Sequence, residues 1–219
     1  MDKILIKRIL PEVFKGMEGS SRIRDSRIWD AAPFTFERGC RICLQAESGA
    51  GKSSLLSFIY GNRSDYSGDI FFDDKNIRKI SIQEWCRIRK TEIALLPQDM
   101  RLFPEISVIE NIRLKNNLTN CKTEREIMEM LELLGIADKK DVPVSLLSIG
   151  QQQRVAIVRT LCQPFDFIFL DEPVSHLDDT NNRIVSNLIE NEAHKREAGV
   201  ITTSVGNQLK LNNMENVNL

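Results

Sequence analysis

Apolar positions along this chain follow two periods, and the change between them divides it. Near the N-terminus Ile4-Leu5-Ile6 form a short apolar run, stopped by Pro11. Pro33-Phe34-Thr35-Phe36-Glu37 alternates with period two and ends at the Arg38-Gly39 turn, the pattern of a half-buried strand. Arg41-Ile42-Cys43-Leu44 predicts another strand, leading into a loop at Ala46. From Ser53 to Tyr60 the pattern turns helical, with Gly61-Asn62 as its stop. Gly68 precedes a strand at Ile70-Phe71-Phe72, and Ile93-Ala94-Leu95-Leu96 predicts one ended by Pro97. The first half therefore reads as strands and turns around one helix.

The middle differs. From about Ile106 to Cys162 the period is mostly helical. Glu124 to Leu134 puts Ile127, Met130, Leu131 and Leu134 on one face, and Gly135 ends it. Phe165 to Leu170 is then almost unbroken apolar sequence, the mark of a strand buried on both faces. Asn181 to about Arg196 returns to a helix, and Val200-Ile201-Thr202-Thr203 is a last strand. The final Asn-rich residues are expected to be loosely held. Strands alternating with helices predict an α/β fold with a mostly parallel sheet, interrupted by a helical insert.

Composition narrows the picture. With 219 residues, 42% of them hydrophobic, the chain can bury the core of one large domain. A net charge of −1 supplies no basic field for nucleic acid or anionic lipid. No stretch is apolar enough to span a membrane. Charged residues run through the place where a signal peptide would put its apolar region. A cytoplasmic location is expected, with any membrane role through a partner. Five cysteines argue against a complete disulfide framework. Cys40 and Cys43 lie three apart on a predicted strand and so face opposite ways. No second such pair exists, and the histidines, His176 and His194, lie far along the chain, so a zinc site lacks ligands.

Two stretches carry chemistry. Ala46-Glu47-Ser48-Gly49-Ala50-Gly51-Lys52-Ser53-Ser54 lies between a predicted strand and a predicted helix, the setting of a phosphate-binding loop. Gly49 and Gly51 let the backbone curl with its N–H groups inward, and the helix start adds a positive dipole end. Lys52 brings a full charge for terminal phosphates, and Ser53 a hydroxyl for Mg²⁺. Ser48, Gly49, Ala50, Gly51, Lys52, Ser53 and Ser54 are the candidate phosphate ligands. Ala46 stands where the strict pattern opens with glycine. Downstream, Asp171-Glu172-Pro173 ends the buried strand. In parallel sheets ligands bind at the strand C-termini, so both stretches belong on one edge. Asp171 can then reach a Mg²⁺ shell, and Glu172 can orient or deprotonate a water.

Between them lies Leu147-Ser148-Ile149-Gly150-Gln151-Gln152-Gln153-Arg154. Here the sequence resembles the ATP-binding cassette (ABC) ATPases, whose signature is LSGGQ followed closely by arginine. Leu96-Pro97-Gln98, Phe103-Pro104 with Val108-Ile109-Glu110-Asn111-Ile112, and Ser175-His176-Leu177-Asp178 agree in order with that family's segments. The likeness runs from about residue 33 to about 205 and is greatest to the small ATPases of lipoprotein release, macrolide export and cell division. It implies a single cassette over 1–219. Residues 1–97 and 163–219 would form a P-loop NTPase core with an N-terminal antiparallel β part, and about 98–162 a helical signature subdomain.

The resemblance also implies roles. The substrate would be ATP with Mg²⁺. Glu172, Gln98 and Lys52 would be catalytic, and Ser53, Gln98 and Asp171 would face the metal. Ser148, Gly150, Gln151 and Asp178 would complete the ATP site of a second cassette, most simply an identical copy. Phe14 is a candidate for stacking on adenine, with a core role as the alternative, and Trp29 reads as core. The resemblance implies an ATP-hydrolysing subunit of a membrane transporter, attached to the inner face of the membrane through a separate permease. The alternative is a slow-turnover, nucleotide-gated clamp. Nucleic-acid machines of the family carry a second cassette or a long coiled coil, and neither is present. Two departures bear on turnover. Ile149 replaces a signature glycine. Val205 occupies the place of a histidine that touches the γ-phosphate, and its apolar side chain cannot do so. Slow or partner-dependent hydrolysis is therefore expected.

Overall fold

The computed structural model describes residues 1–17, 19–29 and 32–219, with the Arg22 side chain left aside. In chain order the elements are β1 (Lys3–Pro11), a short α1 (Ser21–Arg24), β2 (Phe34–Glu37), β3 (Arg41–Gln45), α2 (Lys52–Ile59), β4 (Tyr66–Phe72) and β5 (Lys75–Asn76). Then come α3 (Ile82–Thr91), β6 (Ile93–Leu96), α4 (Val108–Asn116), α5 (Glu124–Leu133), α6 (Ile149–Leu161), β7 (Phe167–Asp171), α7 (Asp179–His194), β8 (Gly199–Ser204) and β9 (Glu215–Asn218).

The strands make two sheets. One has the order β2-β1-β4-β5 and is antiparallel. The other has the order β6-β7-β8-β3-β9 and is parallel throughout. All five ends that follow β6, β7, β8, β3 and β9 thus lie on one edge. Strand β7 shows how the run of apolar residues works. Phe167 and Phe169 pack with the antiparallel sheet and α2. Ile168 and Leu170 pack on the other face, with α4, α5, α6 and α7. Side chains alternate across a strand, so one strand serves two cores and no position is left to be polar until Asp171.

The helices between β6 and β7 begin with well-defined caps. Ser107, Thr123 and Ser148 each form a capping box, with Glu110, Glu126 and Gln151 respectively. The insert is also tied down by a buried pair: Lys122 Nζ lies 2.7 Å from Glu192 Oε2 on α7. Among the described residues no helix is long and apolar enough to cross a membrane.

Three sequence expectations need correction. The C-terminal residues are not loose: β9 pairs in parallel with β3, Val217 and Leu219 are buried, and the Leu219 N–H donates to the Gln45 carbonyl. Two apolar residues at alternate positions suffice there, because backbone pairing supplies the rest. Helix α3 was not legible, since charged residues dominate it and Ile88 is its one fully buried side chain among the described residues. Gly68 does not precede a strand but lies inside β4. A Cβ there would meet the Arg8 carbonyl oxygen at 2.2 Å, where the β1–β4 register shifts and Arg8 itself adopts φ 48°.

Candidate nucleotide site

The loop after β3 is shaped by its glycines. Gly49 has φ 80° and Gly51 φ 96°, the left-handed region that glycine enters freely. Gly51 caps α2, so Lys52 and Ser53 open that helix at its positive end. Lys52 is 5% exposed, and its Nζ donates to the carbonyls of Ala46 at 2.6 Å and Glu47 at 3.0 Å. Burial pushes the Lys52 pKa down, while the charges of Glu172 and Asp171 oppose that shift. Ser53 is exposed at the helix start. The neighbouring hydroxyl, Ser54 Oγ, accepts from Arg63 at 2.9 Å.

Across the sheet edge, Asp171 closes β7 and is 5% exposed. Thr203, on the adjacent β8, joins it to its neighbour. Thr203 Oγ1 donates to Asp171 Oδ1 at 2.6 Å and accepts from the Glu172 N–H at 3.0 Å. Glu172 has φ 50°, a conformation that costs a non-glycine residue about 1–3 kcal/mol. That turn takes the chain sharply off the strand into Pro173. Gln98, on the loop after β6, donates through Nε2 to Glu172 Oε2 at 3.3 Å. Lys52, Asp171, Glu172 and Gln98 therefore converge, because parallel strands deliver their following loops to one edge. Val205 follows β8 at the same edge and is 52% exposed.

The signature stretch starts α6. Ser148 is exposed, and its hydroxyl accepts from the Gln151 N–H while Gln151 Oε1 accepts from the Ser148 N–H at 2.9 Å. Gly150 permits a close approach: a Cβ there would meet the His176 carbonyl oxygen at 3.0 Å. Asp178 caps α7, accepting from the Asn181 N–H at 2.7 Å. The N–H groups of Asn181 and Thr180 and the Asn181 side chain hold its carboxyl below the usual range. Phe14 is not presented as an open stacking face. It is 6% exposed, edge-on to Trp29, with centroids 6.2 Å apart.

Three residues at the site escaped sequence reasoning. Thr203 is the bridge just described; the hydroxyl run Thr202-Thr203-Ser204 at a strand end was its only signal. Gln153 donates to the Glu172 carbonyl at 3.1 Å and accepts from the His176 N–H at 3.1 Å, so α6 is wired to the loop after β7. Asn207 Nδ2 donates to the carbonyls of Val174 and Leu177, fixing the loop after β8 against that same segment.

The oxygens of Ser53, Asp171 and Gln98 are hard donors, few in number, and suit Mg²⁺ completed by phosphate oxygens and water. Among the described residues no group of three or more His, Cys, Asp or Glu forms a protein-only metal cage.

Comparison with known proteins identifies the family and the fold. Residues 30–175 match the ABC transporter family. A lipoprotein-releasing system ATP-binding protein, LolD, of Leptospira interrogans is 33% identical over 168 residues, covering 76% of this chain and 71% of the relative. An uncharacterized ABC transporter ATP-binding protein of Bacillus subtilis, YclH, is 30% identical over 179 residues, covering 80% and 78%. Among solved structures, the dimeric bacterial ABC transporter cassette MJ0796 superposes with TM-score 0.78 at 21% identity, over 98% of this chain and 94% of that one. A dimeric post-hydrolysis state of MJ0796 with ADP and Pi gives TM-score 0.71 at 23% identity, over 80% and 78%.

Proposed function

This chain belongs to the ABC transporter family as one of its ATP-binding cassettes, and from that premise we propose that it is the Mg-ATP-hydrolysing subunit of a membrane transporter. The observation that carries the reading is the meeting of Lys52 with the Thr203-bridged Asp171–Glu172 pair and Gln98. In this reading Lys52 and the loop N–H groups from Ser48 to Ser54 hold the phosphates. Glu172 takes the proton of a water whose oxygen bonds to the γ-phosphorus as the bond to ADP breaks, giving ADP and phosphate. Gln98 keeps the Glu172 carboxylate oriented. A bound Mg²⁺, held by Ser53, Asp171 and Gln98, would supply charge neutralisation of the phosphates.

The exposed start of α6 supports dimerisation: Ser148, Gly150 and Gln151, with Asp178 two residues beyond His176, whose carbonyl lies against Gly150, offer a helix N-terminus to ATP held by a second copy. LolD relatives carry lipoprotein-release names, and an extraction or export role fits this chain. A separate permease would hold the chain on the inner face of the membrane. Phe103 and Leu114, both half exposed, line a cleft with Lys115 and Arg159. Arg159 in turn donates to the Met100 and Arg101 carbonyls, just past Gln98. That cleft is the proposed permease contact.

Val205 favours slow turnover, and with it the reading as a nucleotide-gated clamp. Steady-state ATPase assays of the wild type, Glu172→Gln and Val205→His separate the cases. The expected result is slow phosphate release, abolished by Glu172→Gln and raised about tenfold or more by Val205→His. Rapid turnover by the isolated wild type would show that Val205 does not limit the rate. Activity that persists in Glu172→Gln would remove Glu172 from the mechanism.

A further inference from the structure

The phosphate loop is backed by a single indole. Trp29 is 1% exposed, and its Nε1–H donates to the Ala50 carbonyl at 3.1 Å. Its ring also lies against Gly51. A Cβ at that glycine would sit 2.9 Å from Trp29 Cζ2 and 3.5 Å from Phe14 Cε2. Trp29 is itself anchored: the buried Ser26 Oγ accepts from the Ile28 and Trp29 N–H groups at 3.0 and 2.8 Å. Phe14 packs against its edge.

The peptide group joining Ala50 to Gly51 is planar and trans, so its C=O and N–H point in opposite directions. With the Ala50 oxygen bound to an indole on the core side, the Gly51 N–H is turned the other way, toward the mouth of the loop. We propose that Trp29 is a positioning residue for nucleotide binding, whose indole N–H holds the Ala50–Gly51 peptide so that the Gly51 N–H faces the phosphate chain. The inference rests on the reading of Ser48–Ser54 as a phosphate cradle. A flipped peptide would aim a carbonyl oxygen at a phosphate oxygen and replace attraction with repulsion. Glycine, with no Cβ, resists such a flip least, so the lock has to come from outside the loop. The indole supplies it, and it also enforces glycine at position 51.

The test uses a Trp85→Phe background, in which Trp29 is the one remaining tryptophan. Biosynthetic replacement by benzothienylalanine keeps the fused-ring shape and exchanges the N–H for sulfur. Dissociation constants are measured for Mg-ATP and for Mg-tripolyphosphate, with melting temperatures. A Phe36→Leu variant, altered in the same apolar cluster, serves as a control for general destabilisation. The expected result is about tenfold weaker binding of both ligands by the sulfur analogue, with parent affinity kept by Phe36→Leu. Unchanged affinity in the analogue overturns the proposal, as does an equal loss in the control. Tripolyphosphate binding that survives Lys52→Ala would remove the phosphate-cradle reading itself, and this inference with it.

Discussion

The phosphate loop and the signature helix start offer a contrast in how one chain holds its functional groups. Lys52 and Asp171 are buried, the loop is backed by Trp29, and Thr203 links two carboxylate-bearing residues from the next strand. Asp171, the Glu172 N–H and the loop backbone at Ala50 are fixed from elements far away in sequence, and Lys52 by carbonyls of its own loop. Ser148, by contrast, is exposed and is held by Gln151 three residues on. The first region completes itself inside the fold. The second is a finished helix end turned to solvent, and its capping is local. In the proposed composite site, the first half would be stable without a partner and the second would depend on an incoming surface.

Substitutions can break that comparison, and the largest effect is expected at Lys52. Lys52→Ala removes the buried charge from the loop and should weaken Mg-ATP binding about 100-fold, as measured by calorimetry. Little change would mean that the phosphates are not held at this loop. Thr203→Val keeps shape but leaves Asp171 Oδ1 and the Glu172 N–H without their partner. A stability loss of about 2 kcal/mol is expected in urea titrations, together with slower turnover.

Ser148→Ala probes the exposed half. It should cost about 1 kcal/mol through loss of the cap and leave single-chain Mg-ATP affinity unchanged. ATP-driven dimerisation, followed by light scattering, should be lost. A drop in single-chain affinity would place the signature at its own chain's nucleotide and collapse the distinction between the two halves.

The smallest effect concerns how the helical insert is mounted. Burial pushes the Glu192 carboxyl up, but hydrogen bonds from Lys122 and Lys195 and their charges outweigh it, leaving the value below the ordinary 4.5. Unfolding therefore takes up a proton in acid. The stabilisation is complete above pH 4.5 and is lost as pH falls through the lowered folded-state value. Melting temperatures from pH 7 to 3 should decline more steeply in the wild type than in Glu192→Gln. Parallel curves would show that the Lys122–Glu192 pair contributes nothing to the acid response.

Much of the architecture was legible because local period and local chemistry agreed. The apolar run before Asp171, the glycines around Lys52 and the helix stop at Gly61 each depend on neighbours a few residues away. Ser148 could be read as a helix cap for the same reason. Helix α3 escaped because its inward face is only Ile88 and the half-buried Trp85 amid charge, and Trp85 packs against Phe72 and Gly61 of other segments. The C-terminal strand escaped because an edge strand gains most of its hold from backbone pairing, which leaves a weak trace in side-chain type.

By itself, the sequence determined which loop has the spacing of a phosphate cradle, which carboxylates end the buried strand and where α6 starts, since spacing and residue type encode these directly. Only the tertiary structure decided that Thr203 ties Asp171 to Glu172, that Gln153 wires α6 to the loop after β7, that Phe14 packs into the core, and that Trp29 holds the phosphate loop from behind. The hydrogen bonds among those contacts join residues 19 to 32 positions apart. Which hydroxyl, amide or indole fills such a place is set by strand order and by the two cores packed on either side of β7, and neither leaves a period in the chain.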